Sequence, residues 1–103
     1  MYEERQFFVY MTTDKNNRVI YTGMTNNLAC RAWDHKSKMI KGFTSRYNVT
    51  KLVYYEIYAT AYDAIAREKQ IKAGSRQKKI DLINKVNSKW KNLYQDGEIL
   101  PLD

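Results

Sequence analysis

With 103 residues, the chain can form one domain with a modest hydrophobic core and is too short for two. Its 18 basic and 11 acidic side chains give a net charge of +7, with the basic excess concentrated between residues 31 and 91. This favours a polyanionic partner such as nucleic acid, although a solvated lysine-rich surface would have the same composition. Cys30 is the only cysteine, which excludes an intramolecular disulfide and a cysteine-rich zinc cluster. The polar N-terminus and the lack of an apolar run of about 20 residues predict a soluble, cytoplasmic protein without membrane contact.

The first third of the chain predicts a β-hairpin followed by a helix. Residues 7–12 and 19–22 are rich in aromatic and β-branched side chains, and turn-forming residues lie between them. Gly23 closes the second strand, and Asn26 or Asn27 can cap a helix over residues 27–39. Leu28, Ala32, His35 and Met39 share one side of that helix.

The remaining sequence predicts a loop, a strand and two helices. Residues 40–50 lack a clear period and indicate a surface loop. Residues 52–58 predict a strand that alternates strictly, with Val53, Tyr55 and Ile57 on one face. Thr60 and Ser75 are candidate caps for two successive helices, the first of which ends at Gly74. Residues 95–103 are expected to be a flexible tail.

Five side chains in these elements have the chemistry of a phosphodiester-cleaving site: Tyr10, Tyr21, Arg31, His35 and Glu68. Such a site needs positive charge at the phosphate, a divalent ion or its equivalent, and a group that deprotonates water. Arg31 offers a planar charged fork for phosphate oxygens, and His35 leaves the helix on the same side one turn later. Glu68 could hold a hard cation such as Mg²⁺, and a tyrosine can act as a base if nearby cations favour its phenolate.

Each of these residues also has a purely structural interpretation. Arg31 could be a surface arginine, and His35 could be a half-buried helix residue bonded to a backbone carbonyl. Glu68 could pair with Lys72 at i+4, and the tyrosines could be ordinary sheet aromatics. Only the combination of all five favours catalysis.

Three short motifs occur in a fixed order: Val9-Tyr10-Met11, then Tyr21-Thr22-Gly23, then a helix that carries Leu28, Arg31 and His35. Segments 41–44, 67–72 and 90–93 extend the pattern. On these residues, the chain resembles the GIY-YIG nuclease family over about residues 7–94. The resemblance is to its small single-domain bacterial branch, which is similar to the nuclease module of UvrC. We therefore predict one nuclease domain over residues 1–94.

The resemblance implies an α+β fold in which helices flank a three-stranded antiparallel sheet, in the order β-β-α-β-α-α. It also implies that Tyr10 and Tyr21 line the site and that one of them helps to deprotonate the attacking water. Gly23 would allow a close backbone approach, and Arg31 would hold the scissile phosphate. His35 would occupy the second basic or tyrosine position of the helix, and Glu68 would bind a single Mg²⁺ or Mn²⁺ ion.

The expected function is that of a metal-dependent DNA endonuclease in DNA repair or recombination that recognises nicks, flaps or branches by shape and charge. RNA is a further candidate substrate, and no obligate protein partner is expected. The expected phosphate contacts are Lys72, Arg76, Lys78, Lys79 and Lys85. The alternative is a non-catalytic nucleic-acid-binding module, on the same scaffold or on an RNA-recognition-like scaffold suggested by Lys41-Gly42-Phe43 beside a tyrosine-rich strand. The two interpretations differ at Glu68, which only an enzyme would need.

Overall fold

A three-stranded antiparallel sheet lies at the centre of the computed structural model, which describes residues 5–39 and 42–102; Lys41 lies outside them. Its strands are β1 (Phe7–Thr13), β2 (Ile20–Thr25) and β3 (Lys51–Tyr58), in the spatial order β2-β1-β3. The central position of β1 explains its burial, because it has a strand on each side and helices above and below. The predicted α+β class and antiparallel sheet are confirmed.

The turn between β1 and β2 is held by the side chain of Asp14. Its Oδ1 accepts hydrogen bonds from the backbone N–H groups of Arg18 and Val19, at 2.7 and 2.9 Å. This local bonding fixes the register of the hairpin, so that Tyr10 lies opposite Gly23.

Helix α1 (Leu28–Lys36) begins as the sequence predicts, with Asn27 Oδ1 accepting from the N–H of Cys30 at 3.0 Å. It ends three residues before the predicted end at Met39, because Lys38 has a left-handed conformation with φ +56°. The N–H of Lys38 bonds the carbonyl of His35, and the N–H of Met39 bonds the carbonyl of Asp34. These two bonds form a Schellman motif, which stops the helix.

A short helix, α2 (Phe43–Arg46), lies within the segment predicted to be a loop, so that prediction was wrong there. Helices α3 (Ala61–Ala73) and α4 (Arg76–Val86) follow β3. Thr60 and Ser75 cap them as predicted, since their hydroxyl oxygens accept from N–H groups three residues later. No helix among the described residues is both long and apolar enough to cross a membrane.

Two hydrophobic clusters cover the two faces of the sheet. On the α1 side are Tyr10, Leu28, Ala32, Leu52, Leu93 and Tyr94. On the side of α3 and α4 are Val9, Met11, Val53, Tyr54, Ala64, Ile71 and Ile83. The strict alternation predicted for β3 is therefore wrong at its start. The register shifts between Met11 and Thr12, and this irregularity places Val53 with Tyr54 and Leu52 with Tyr55.

The C-terminal segment differs from the flexible tail expected from sequence. Strands β4 (Tyr94–Gln95) and β5 (Glu98–Ile99) form a small hairpin. The Tyr55 hydroxyl donates to the carbonyl of Leu100 at 3.0 Å, and Leu100 and Leu102 pack on the α1-side cluster. Those few apolar side chains secure the segment against the sheet, although they are too sparse to form a recognisable period.

Candidate active site

Three of the predicted site residues form one cluster of rings on the α1 side of the sheet. Tyr10 Oη lies 2.9 Å from His35 Nε2, and both residues are only 2% exposed. The ring centroid of Tyr21 is 6.3 Å from that of Tyr10 and 5.5 Å from that of His35. The cluster thus joins β1, β2 and α1.

Gly23 makes room for this cluster. A Cβ atom placed on it would lie 2.5 Å from Tyr10 Oη and 2.6 Å from Tyr10 Cζ, which is too close for any real contact. Because Gly23 lies opposite Tyr10 in the sheet, the phenol passes directly over its backbone. The group that approaches the Gly23 backbone in this structure is therefore the Tyr10 side chain.

Burial sets the protonation of the Tyr10–His35 pair. It raises the pKa of Tyr10 well above 10, with a further contribution from Tyr21, so the phenol keeps its proton. Burial, and after it the charge of Arg31, lowers the pKa of His35 to about 4, so the imidazole is neutral near pH 7. Tyr10 therefore donates to Nε2, and the imidazole proton lies on Nδ1, which is buried with no hydrogen-bond partner among the described residues.

The charges of Arg31 and Glu68 both act on Tyr10. Arg31 lowers the pKa of the phenol, whereas Glu68 raises it, although both effects are smaller than that of burial. Arg31 also opposes a charge on His35. This charge effect is what links Glu68 to the ring cluster, because α3 packs through Ala64 and Ile71 on the opposite face of the sheet from Tyr10.

Glu68 also makes the i,i+4 ion pair with Lys72 that a purely structural role predicts. Its Oε2 lies 3.6 Å from Lys72 Nζ, and the Glu68 side chain is 21% exposed. A surface pair of this kind contributes little to stability, about 0.3–0.5 kcal/mol for an i,i+4 pair, so the carboxylate can exchange this partner readily.

The side chains near Glu68 fit a divalent ion held by one carboxylate and waters better than an ion surrounded by protein ligands. Among the residues that the structure describes, no three His, Cys, Asp or Glu side chains converge as a metal site. A single carboxylate with solvent access is nevertheless the arrangement that suits Mg²⁺, which keeps several waters and takes phosphate oxygens from a substrate. Glu68 could provide that carboxylate.

Of the basic residues predicted to contact phosphates, two already have intramolecular partners and the other three, on α4, differ in exposure. Lys72 pairs with Glu68, and Arg76 Nη2 donates to the carbonyl of Asn17 at 3.1 Å. On α4, Lys78 and Lys85 are exposed, and Lys79 is partly buried.

A network around Glu56 was not predicted from sequence. Its carboxylate on β3 accepts from Arg67 on α3, with Nε 2.9 Å from Oε1 and Nη2 3.0 Å from Oε2. The hydroxyls of Tyr54 and Tyr58 donate to the same carboxylate. A lone glutamate between tyrosines on one strand face was the only signal, and it does not identify the partner on α3.

Comparison with known proteins identifies the class of this fold. The sequence profile described as the GIY-YIG catalytic domain matches residues 6–81. The chain therefore belongs to the GIY-YIG family, which places it in a nuclease superfamily that acts on DNA and generally uses divalent metal ions.

Its relatives include small bacterial proteins of similar length. The UPF0213 protein of Staphylococcus haemolyticus is 34% identical over 76 residues, which is 74% of this chain and 92% of the relative. That of Clostridium perfringens is 34% identical over 89 residues, which is 86% of this chain and 95% of the relative. The solution NMR structure of the UPF0213 protein BH0048 from Bacillus halodurans superposes with a TM-score of 0.54 at 25% identity, covering 84% of this chain and 92% of that one. None of these names specifies a substrate, a metal or a pathway.

Proposed function

We propose that this protein is a metal-dependent DNA endonuclease whose active site consists of Tyr10, Tyr21, Arg31, His35 and Glu68. The observation that carries the proposal is the buried hydrogen bond from Tyr10 to His35, with the charges of Arg31 and Glu68 acting on the same phenol. A buried phenol that is hydrogen-bonded to a neutral imidazole can pass its proton to that imidazole.

Two linked proton transfers would carry the charge of the water proton to His35. Tyr10 accepts a proton from the attacking water while its own proton passes to His35 Nε2, so the phenol is unchanged overall and the imidazole becomes charged. At rest the imidazole is a weak base, because burial and Arg31 hold its pKa at about 4. A substrate phosphate paired with Arg31 would offset that charge and so make His35 a better base when substrate is bound.

Arg31 would bind the non-bridging phosphate oxygens and stabilise the charge that develops on them during attack. Glu68 would exchange Lys72 for a Mg²⁺ or Mn²⁺ ion. That ion, when bound, supplies Lewis-acid stabilisation of the phosphate and the leaving oxygen. Tyr21 would complete the wall of the site beside the two reacting side chains.

The substrate would be DNA with a nick, a flap or a branch, processed during repair or recombination in the cytoplasm, with RNA as a second substrate to test. Shape and charge would direct binding, because exposed lysines on α4 can contact phosphates in any sequence. The residues proposed to do so are Lys72, Arg76, Lys78, Lys79 and Lys85, of which Lys72 and Arg76 would first release their intramolecular partners.

A non-catalytic nucleic-acid-binding module is the second candidate, favoured by the ion pair between Glu68 and Lys72. The deciding experiment incubates the purified chain with nicked, flapped, branched, single-stranded and duplex DNA in Mg²⁺, Mn²⁺ or chelator. The nuclease predicts cleavage of at least one DNA that stops in chelator. Binding without cleavage of any substrate would favour the second candidate.

A further inference from the structure

A polar cavity of about 380 Å³ lies between the β1–β2 turn and the connection from α1 to β3. Its described lining comes from both segments: Asp14, Lys15, Asn16, Arg18, Lys38, Tyr47, Asn48 and Thr50. None of these residues belongs to the active site proposed above. The cavity is of the size that small ligands or single groups of a polymer occupy.

The charges in this cavity favour an anion. Lys15, Arg18 and Lys38 contribute three positive charges, against a single carboxylate among the described lining residues, that of Asp14. That carboxylate accepts the backbone N–H groups of Arg18 and Val19 and lies 3.8 Å from the Arg18 guanidinium, so it stays charged and offsets one of the three positive charges. The remaining positive charge suits a phosphate group.

The uncharged part of the lining suits a nucleobase. Tyr47 is 46% exposed even though the Arg46 guanidinium lies over its ring at 5.8 Å from the centroid, so part of the side chain is accessible. The amides of Asn16 and Asn48 also line the cavity, and amides can donate to and accept from base edges. A cavity that bound only duplex phosphates would gain nothing from an aromatic ring, whereas unpaired bases stack on such rings.

The cavity is close to the proposed active site along two elements. Asp14 follows Tyr10 by four residues, a distance of about 13 Å in an extended strand. Lys38 comes directly after the C-cap of α1 and three residues after His35. A DNA strand whose phosphate lay at Arg31 could therefore extend into this cavity.

Lys38 has a feature that structure alone does not require. It occupies the position of the Schellman motif where glycine is usual, with φ +56°, a conformation that lysine rarely adopts. A residue that is unfavourable for the backbone but lines a cationic cavity indicates that its side chain is used there.

We infer that this cavity binds one nucleotide of a single-stranded DNA segment that flanks the cleavage site, with its phosphate at Lys15, Arg18 and Lys38 and its base against Tyr47. The path of the DNA strand, from a phosphate at Arg31 into this cavity, rests on the proposed nuclease function. The nucleotide site also makes unpaired DNA beside the cleaved bond the feature that the protein recognises.

The test measures binding by fluorescence anisotropy in chelator, with a labelled single strand, an overhang duplex and a blunt duplex of matched sequence. Tyr47→Leu should weaken binding of the single strand and overhang by about 5- to 100-fold and leave the blunt duplex unchanged. Lys38→Gly should reduce the slope of log binding constant against log salt concentration by about 0.7 for the single strand. Because glycine suits this backbone position, the variant should unfold at the same or a higher temperature. Tyr62→Leu and Arg5→Gln are the matched controls, since both residues are exposed and lie outside the cavity lining.

Two results separate this inference from the proposed function. If the wild-type protein cleaves DNA but Tyr47→Leu and Lys38→Gly bind every probe as it does, the nucleotide site is refuted and the nuclease remains. If those variants lose single-strand binding while the wild-type protein cleaves nothing, the nucleotide site stands and the nuclease proposal fails. Equal losses on single-stranded and blunt duplex DNA would also refute the site.

Discussion

The guanidinium of Arg67 reaches from α3 to the carboxylate of Glu56 on β3, donating from Nε to Oε1 at 2.9 Å and from Nη2 to Oε2 at 3.0 Å. Arg67 immediately precedes Glu68, so this two-point contact fixes the part of α3 that carries the proposed metal ligand. Arg67 Nη1 also donates to Gln70 Oε1 at 2.7 Å, which leaves the guanidinium little freedom to rotate.

Glu56→Gln should lower the free energy of unfolding by about 1.5–3 kcal/mol, the usual contribution of hydrogen bonds to charged groups. Urea unfolding of this variant, with Glu98→Gln as an exposed control, measures the effect. A double-mutant cycle with Arg67→Gln should show that the two changes are strongly non-additive. Additive losses would mean that the pair does not couple α3 to the sheet.

The ion pair of Glu56 and Arg67 should also make the protein less stable in acid. Burial alone would raise the pKa of Glu56, but hydrogen bonds from Arg67, Tyr54 and Tyr58 outweigh it and hold that pKa below 4.5. The ionised Glu56 carboxylate therefore contributes its full stabilisation above pH 4.5, the pKa in the unfolded chain. This stabilisation is lost as the pH falls through the lower pKa of Glu56 in the folded protein. Unfolding measured across this range should show a steeper acid loss for the wild-type protein than for Glu56→Gln.

Tyr10→Phe should abolish most catalysis and preserve the fold. The ring remains packed, but the proton relay between water and His35 is lost, and general-base catalysis contributes about 10²- to 10⁴-fold. Single-turnover cleavage assays measure the change, with Tyr62→Phe as the control because Tyr62 is 81% exposed. Equal rates for Tyr10→Phe and the wild-type protein would exclude the relay.

Gly23→Ala should damage both stability and activity, because the new methyl group would overlap the phenol of Tyr10. Overpacking of this kind costs about 1–3 kcal/mol and would displace the hydroxyl from His35 Nε2. Thermal unfolding and cleavage rates should fall together. A variant with normal stability and full activity would show that the close approach of Tyr10 to Gly23 is incorrect.

His35 gives a second pH dependence that can be measured directly, since it is the only histidine in the chain. Its pKa falls from 6.5 to about 4 on folding, so the unfolded chain binds more protons between these values. Stability should therefore rise with pH across that window and lose this dependence in His35→Gln. An NMR titration of the imidazole C–H should give a midpoint near 4, and a midpoint near 6.5 would contradict the buried, neutral state.

The sequence predicts the elements well where periodicity and caps are strong. Asn27, Thr60 and Ser75 each cap a helix through a bond to a residue three positions later, which is local information. The early end of α1 was missed because Lys38 adopts a conformation usual for glycine.

Long-range contacts account for the other differences between the structure and the elements predicted from sequence. The register shift between Met11 and Thr12 depends on how β1 and β3 pair, and the hairpin of β4 and β5 depends on packing against the sheet. The site residues could be proposed from their order along the chain. Their geometry could not, because the bond from Tyr10 to His35 joins residues 25 positions apart.

Glu68→Gln tests the central claim most directly. The change preserves the shape of the side chain and removes the charge that would hold the metal ion, so Mg²⁺-dependent DNA cleavage should fall by about 10²-fold or more. DNA binding in chelator should be at least as tight as that of the wild-type protein and of the Glu98→Gln control, because the change frees Lys72 from its ion pair. Undiminished cleavage by Glu68→Gln in Mg²⁺ would contradict the assignment of this carboxylate to a nuclease site.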